Sequence, residues 1–217
     1  HNRCRRQRQM CIRDSIQLCD DTQGIQPQDG CDDYFTVQGV VGIKSCMIDT
    51  IYIPTLGRSH NQITFDNMTP SVQHITKLVV QPKEQHLYSK YPTVVLPDND
   101  IGITATRKWI WEHGQQSRYI VIDDDVKLCC RRPWHDGEKT KRIMTEDDWH
   151  HMLTQTSKWM DEGIAWGGCR TGGLPPAGKE YIDNTGTAEV WFFDGAQLPS
   201  ADELDWDLST ACLLYTS

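Results

Sequence analysis

The chain has 217 residues, with 22 Lys and Arg against 30 Asp and Glu, for a net charge of −8. That balance argues against a broad basic surface for nucleic-acid phosphates. No apolar run approaches the roughly 18 residues of a membrane span, and none of the 9 cysteines has the C-x-x-C spacing of a zinc site.

The two ends read as foreign to the rest. Met10-Cys-Ile-Arg-Asp-Ser15 can be encoded by a nucleotide string whose reverse complement encodes Cys-Leu-Leu-Tyr-Thr-Ser, which is residues 212–217. Ends related in this way resemble translated copies of a sequencing adapter. Residues 1–15 and 212–217 are therefore expected to be non-native, with the true C-terminus missing. Setting them aside removes five Arg and one Asp and leaves a still more acidic chain. Of the remaining cysteines, the neighbours Cys129 and Cys130 suit free thiols in a reducing cytoplasm better than a strained disulfide.

Residues 16–47 are rich in Asp, Gln and Gly and read as a weakly ordered extension, with Tyr34–Val37 as a candidate hairpin strand. Order is expected over 48–211, as one domain with a sizeable core. Ile51–Ile53 reads as a first strand stopped by Pro54 and the Leu56-Gly57-Arg58 turn. Gln62–Met68 suits a short helix that ends before Pro70. His74–Val80 reads as a second strand, Pro82–Tyr91 as a helix with Pro in its first turn, and Thr93–Leu96 as a third strand. Ile101–His113 reads as a helix stopped by Gly114. Tyr119–Ile122 is a fourth strand, running straight into Asp123, Asp124 and Asp125.

Beyond the carboxylates, Arg131–Arg142 reads as a polar loop holding Trp134 and His135. Thr145–Glu162 is a helix with Thr145 as N-cap, an acidic first turn and Gly163 as its end. Its buried stripe is Trp149, Met152, Leu153, Thr156, Trp159 and Met160. His150 and His151 point apart on it and cannot easily share a metal. Ile164–Gly178 is Gly/Pro-rich and reads as a binding loop. Ala188–Phe193 is a strand ending at Asp194-Gly195, and Leu198–Leu208 is an acidic segment. Strand–helix alternation with short connections implies an α/β fold with a mostly parallel, doubly wound sheet. Right-handed crossovers would gather Thr55, Arg58, Asp98 and Asp123–Asp125 at one sheet edge.

Three adjacent carboxylates repel unless something cationic sits among them. A hard divalent ion, Mg²⁺ or Mn²⁺, is the natural partner, and Asp123 and Asp125 would address it together if the chain stays extended. The order of the pieces then resembles a known family. Ile53-Pro-Thr-Leu-Gly-Arg58, Gly102-Ile-Thr-Ala-Thr-Arg107 and Tyr119-Ile-Val-Ile-Asp-Asp-Asp-Val126 are similar to the nucleotide-sugar half of GT-A glycosyltransferases, a Rossmann-like fold. Ile51–Arg58, Asp98–Gly102 and Trp191–Gly195 look closest to phage enzymes found beside TET/JBP-type dioxygenases, which add sugars to 5-hydroxymethylpyrimidines in DNA. The adapter-like ends suggest a metagenome-type origin, which is compatible with a phage source.

The resemblance implies a nucleotide-sugar half at about 48–130 and an acceptor half at about 131–211, working in the cytoplasm of a phage-infected host. It implies that Thr55, Arg58, Asp98, Arg107, Asp123 and Asp124 bind a nucleoside-diphosphate sugar, expected to be a UDP-sugar. It implies that Asp123 and Asp125 hold Mn²⁺ or Mg²⁺ through the Asp-x-Asp motif, and that the acceptor is a hydroxyl, with hydroxymethylated DNA in view. A general base would follow the Trp-Phe-Phe strand. Asp194 and Asp205 are the catalytic candidates, although the base could lie beyond residue 211. Two other readings remain at this point: a sugar nucleotidyltransferase, disfavoured by the scarcity of glycine after the first strand, and a degenerate module that binds a nucleotide without catalysis.

Overall fold

The computed structural model describes residues 9–12, 47–131, 141–169, 189–204 and 206. Its first strand is β1 (Gln9–Ile12), followed by β2 (Thr50–Pro54), α1 (Ile63–Asp66), α2 (Pro70–His74), β3 (Thr76–Val80), a 3-10 helix at Pro82–Tyr88 and β4 (Thr93–Val95). Then come α3 (Ile103–His113), β5 (Arg118–Ile122), β6 (Cys129–Arg131), β7 (Lys141–Ile143), α4 (Glu146–Asp161), β8 (Trp166–Cys169) and β9 (Val190–Asp194).

One sheet runs in the order β1-β8-β9-β5-β2-β3-β4. β2 is parallel to β3 and to β5, and β3 to β4, whereas β9 runs antiparallel between β5 and β8. The sheet is thus mostly parallel, as expected, with one reversed strand. Side chains alternate across it and build two cores. Ile51, Ile53, Leu78, Ile120, Ile122 and Phe192 face α1, α2 and α4, meeting Phe65, Met68, Val72, Trp149 and Trp159. Tyr52, Val79, Tyr119, Val121, Trp191 and Phe193 face α3, meeting Ile110 and Trp111. Helices on both faces make the sheet doubly wound.

Local sequence explains the helix ends. Thr145 caps α4 by accepting from the Asp148 N–H at 3.4 Å, and Asp148 returns the favour at 2.7 Å from the Thr145 N–H. Gly163 takes φ +93 and ends the helix, which a residue with a Cβ resists. The expected helix over 62–68 is the shorter α1, which does end before Pro70, and a second helix not expected there, α2, starts at Pro70, whose missing N–H costs nothing at a first turn. The expected strand start at His74 moves to Thr76 because α2 runs through His74. Pro82–Tyr88 is a 3-10 rather than an α-helix. The expected loop at 131–142 is entered and left through a two-stranded ribbon, β6 and β7.

The expected hairpin strand Tyr34–Val37, Trp134, His135, Asp205 and most of the Gly/Pro-rich loop lie outside the described residues. β1 runs parallel to β8 along its free edge. Such an edge offers N–H and C=O groups to any extended segment, so the pairing is compatible with a segment foreign to the fold.

Candidate functional site

The chain passes from β2 to β3 to β4 on one side, then crosses back to place β5 on the other side of β2. That reversal makes a crevice between the carboxyl ends of β2 and β5, where open α/β sheets bind ligands. Tyr52 lies opposite Val121, so the same register sets Thr55 level with Asp124. The Thr55 hydroxyl donates to Asp124 Oδ2 at 2.7 Å and accepts from Gln62 Nε2 at 2.9 Å. Gln62 also holds the Arg58 carbonyl at 2.9 Å, and the Arg58 N–H donates to the Tyr88 hydroxyl at 3.1 Å. The β2–α1 connection is therefore fixed from inside, and it presents the Arg58 side chain outward.

Arg58 Nη1 lies 3.0 Å from Asp124 Oδ1 and 3.0 Å from Asp125 Oδ2. The hydrogen bond to Asp125 and the charge of Asp124 hold this guanidinium above its ordinary range. Asp123 goes elsewhere. Its Oδ1 meets Arg107 Nη2 at 3.0 Å, and the Arg107 guanidinium lies 4.6 Å above the Trp191 ring. Burial pushes the Asp123 carboxyl up, and Arg107 pulls the other way.

Asp123 and Asp125 thus face different arginines, whereas the sequence reading has them address one ion together. That expectation assumed an extended chain, but β5 ends at Ile122 and Asp124–Asp125 form a turn. The alternation of β5 still carries through its first carboxylate. Asp123 follows Tyr119 and Val121 onto the α3 side, where Arg107 stands. Asp124 and Asp125 then converge on Arg58.

Other expected residues are placed apart from this cluster. Asp98 is exposed and sits beyond β4, three strands or roughly 14 Å from β5. Its turn is organised instead by the Lys83 N–H on Asn99 at 2.8 Å and the Asp100 N–H on Gln81 at 2.9 Å. Asp194 pairs with Arg118 at the opposite end of β5, roughly 17 Å along the strand from Asp123. There it is buried and bonded by Gln197 Nε2 at 2.7 Å. A carboxylate closed off at the far edge is not placed to act as a base for chemistry at Asp123–Asp125.

Two residues of the site edge carried no signal in the sequence. Thr64 of α1 bonds the backbone of the carboxylate turn. Glu189 takes φ +69 and accepts the Asp123 N–H on its carbonyl at 2.9 Å. Glu189 immediately precedes β9, so the connection from β8 to β9 leaves and returns at this edge.

A doubly wound sheet with arginine-clamped carboxylates at its switch point is an α/β glycosyltransferase-like architecture. The model of the TET-Associated Glycosyltransferase family matches residues 50–180, and the chain belongs to that family. It is an enzyme that moves a sugar from a donor to an acceptor. The match begins at the first residue of β2 and takes in the whole Thr55–Asp125 cluster. Comparison with curated proteins and with solved structures gave no match. Among the described residues no helix is long and apolar enough to cross a membrane.

Proposed function

We propose that this glycosyltransferase takes its sugar from a nucleoside diphosphate, uses Mn²⁺ or Mg²⁺, and delivers the sugar to the hydroxyl of a 5-hydroxymethylpyrimidine in DNA. The observation that carries the reading is the convergence of Asp124 and Asp125 on one Arg58 nitrogen, each at 3.0 Å, inside the switch-point crevice. Two hard carboxylate oxygens able to address one positive centre suit a cation that takes one or two carboxylates and shares the rest of its shell with water and diphosphate.

Bound there, the cation would offset the charge that grows on the departing nucleoside diphosphate. Asp124 and Asp125 would hold it. Arg58, released from them, would meet the diphosphate with a planar, permanently charged fork. Asp123, braced by Arg107, would address the ribose or base. Thr55 would keep Asp124 turned into the crevice. Support for a DNA acceptor comes from the segment after the turn. Residues 127–142 carry Lys127, Arg131, Arg132, Lys139, Lys141 and Arg142 against Asp136 and Glu138. A local positive excess in an acidic chain draws a polyanion. The free thiol of Cys129 fits a reducing cytoplasm.

The test is calorimetry with UDP and UDP-sugars, with and without Mn²⁺, on the wild type and on Asp125→Ala. Binding should need both the cation and Asp125. Transfer of a labelled sugar to hydroxymethylated DNA, and not to unmodified DNA, would then establish the acceptor. A folded wild-type chain that binds no nucleoside diphosphate with any divalent cation would overturn the donor reading.

A further inference from the structure

The turn bearing Asp123, Asp124 and Asp125 has an electrostatic problem that its own residues do not solve. Three like charges in succession push the turn apart. Arg58 and Arg107 offset that repulsion, but on the reading above Arg58 must leave the carboxylates to serve the ligand. Something neutral has to hold the backbone while the charges rearrange.

Thr64 is the group placed to do this. It is buried in α1, a helix anchored by Phe65, whose ring meets Tyr91 edge-on at 5.2 Å. The Thr64 N–H donates to the Asp124 carbonyl at 3.2 Å. Its hydroxyl accepts from the Val126 N–H at 2.8 Å and donates to the Asp123 carbonyl at 2.5 Å, with the Val126 carbonyl 3.1 Å away. One residue thus grips the carbonyls of Asp123 and Asp124 and the amide of Val126, across about sixty positions of sequence. All three bonds are to backbone and none involves an ionisable group. They persist whatever the carboxylates bind or release.

We infer that Thr64 is a positioning residue: its hydroxyl fixes the turn so that Asp124 and Asp125 converge on one point. The inference rests on the proposed donor site and adds to it a residue that touches neither cation nor nucleotide. Partners that orient metal-binding side chains typically change metal affinity about 10–100-fold when removed. Thr64→Val keeps the shape and loses the hydroxyl, leaving the Val126 amide without its acceptor. Thr64→Ser keeps the hydroxyl and loses a methyl.

The experiment is calorimetry of UDP with Mn²⁺ on the wild type, Thr64→Val and Thr64→Ser, at a temperature where circular dichroism shows all three folded. Thr64→Val should bind about 10–100-fold more weakly, and Thr64→Ser should stay close to the wild type. Hydrogen exchange at the Val126 amide should quicken in Thr64→Val alone. A folded Thr64→Val that binds like the wild type would overturn the inference and leave the donor reading standing. A wild type that binds no UDP would overturn the donor reading and this role with it. If Thr64→Val does not fold, Thr64→Cys, with its weak S–H donor, carries the same comparison and should fall between the other two.

Discussion

Strand β5 has an arginine–carboxylate cluster at each end, and the two differ in what surrounds them. At the amino end Arg118 is 6% exposed and meets Asp161 at 2.7 Å and Asp194, itself 1% exposed, at 3.4 Å. The same end is packed so closely that a Cβ on Gly195 would lie 2.0 Å from the Gly114 carbonyl. At the carboxyl end Arg58 is 45% exposed and Asp125 is 54% exposed. The first cluster joins β5, β9 and α4 using partners the fold itself supplies. The second faces a crevice with charges that a ligand can reach. Composition does not separate a structural ion pair from a site; closure does.

The largest effect should come from opening the closed end. Arg118→Met removes the cation and leaves Asp194 buried beside Asp161 and Gln197. Breaking one partner of a buried pair costs about 3–5 kcal/mol, to be read as a loss of that size in urea denaturation. UDP affinity should be unchanged while the variant remains folded. Asp194→Asn sharpens the contrast, because it keeps the shape and the Arg118–Asp161 contact. Its transfer rate per folded molecule should match the wild type. A drop of about 10²–10⁴-fold, the usual scale of a lost general base, would return Asp194 to the chemistry and break the comparison.

At the open end Arg58→Gln should move two affinities in opposite directions. With Arg58 present, an incoming cation must displace a guanidinium from both Asp124 and Asp125. Without it, Mn²⁺ alone should bind several-fold more tightly, since the two carboxylates lose their resident positive partner. UDP in saturating Mn²⁺ should bind about tenfold or more weakly, because the charge-assisted bond proposed between Arg58 and the diphosphate would be gone. Calorimetry of Mn²⁺ and then of UDP reads both. Weaker binding of both ligands would mean that Arg58 organises the site rather than sharing it with the cation.

The sequence made some of this legible and hid the rest for physical reasons. The runs of strand-forming residues over Tyr119–Ile122 and Val190–Phe193 are a local signal, and both are strands that split their side chains between the two cores. The Thr145 cap and the Gly163 stop are local too. Residues on either side of the switch point could be grouped because crossover handedness puts strand ends on one edge, and Thr55, Arg58, Asp123, Asp124 and Asp125 do meet there. That rule names an edge but not a place along it, so it groups Asp98 with strands that Asp98 does not reach. Thr64 acts through backbone groups 59 and 62 positions away, and a bond to a carbonyl leaves no trace in which residue the partner is. The fate of Asp194 depended on β9 running antiparallel, which turns the end of that strand away from the carboxylates. Nothing in Val190–Asp194 itself declares its direction.

The smallest effect should come from α4, which repeats the contrast within one helix. Its last turn supplies Asp161 to the closed cluster, whereas its first residue, Glu146, makes an exposed hydrogen bond with Ser71 of α2. The bond from Ser71 holds the Glu146 carboxyl below its ordinary value. A depressed folded value means that the unfolded chain binds the proton more readily. The stabilisation is therefore complete above the ordinary carboxylate range and fades as pH falls through the lowered folded value. Ser71→Ala should lower Tm by no more than about 2 °C at pH 7, with the difference from the wild type vanishing in acid. A loss at pH 7 comparable to that of Arg118→Met would show that exposure is a poor guide to which contacts carry this fold. The assignment of the open end as a site rather than a brace would then lose its physical basis.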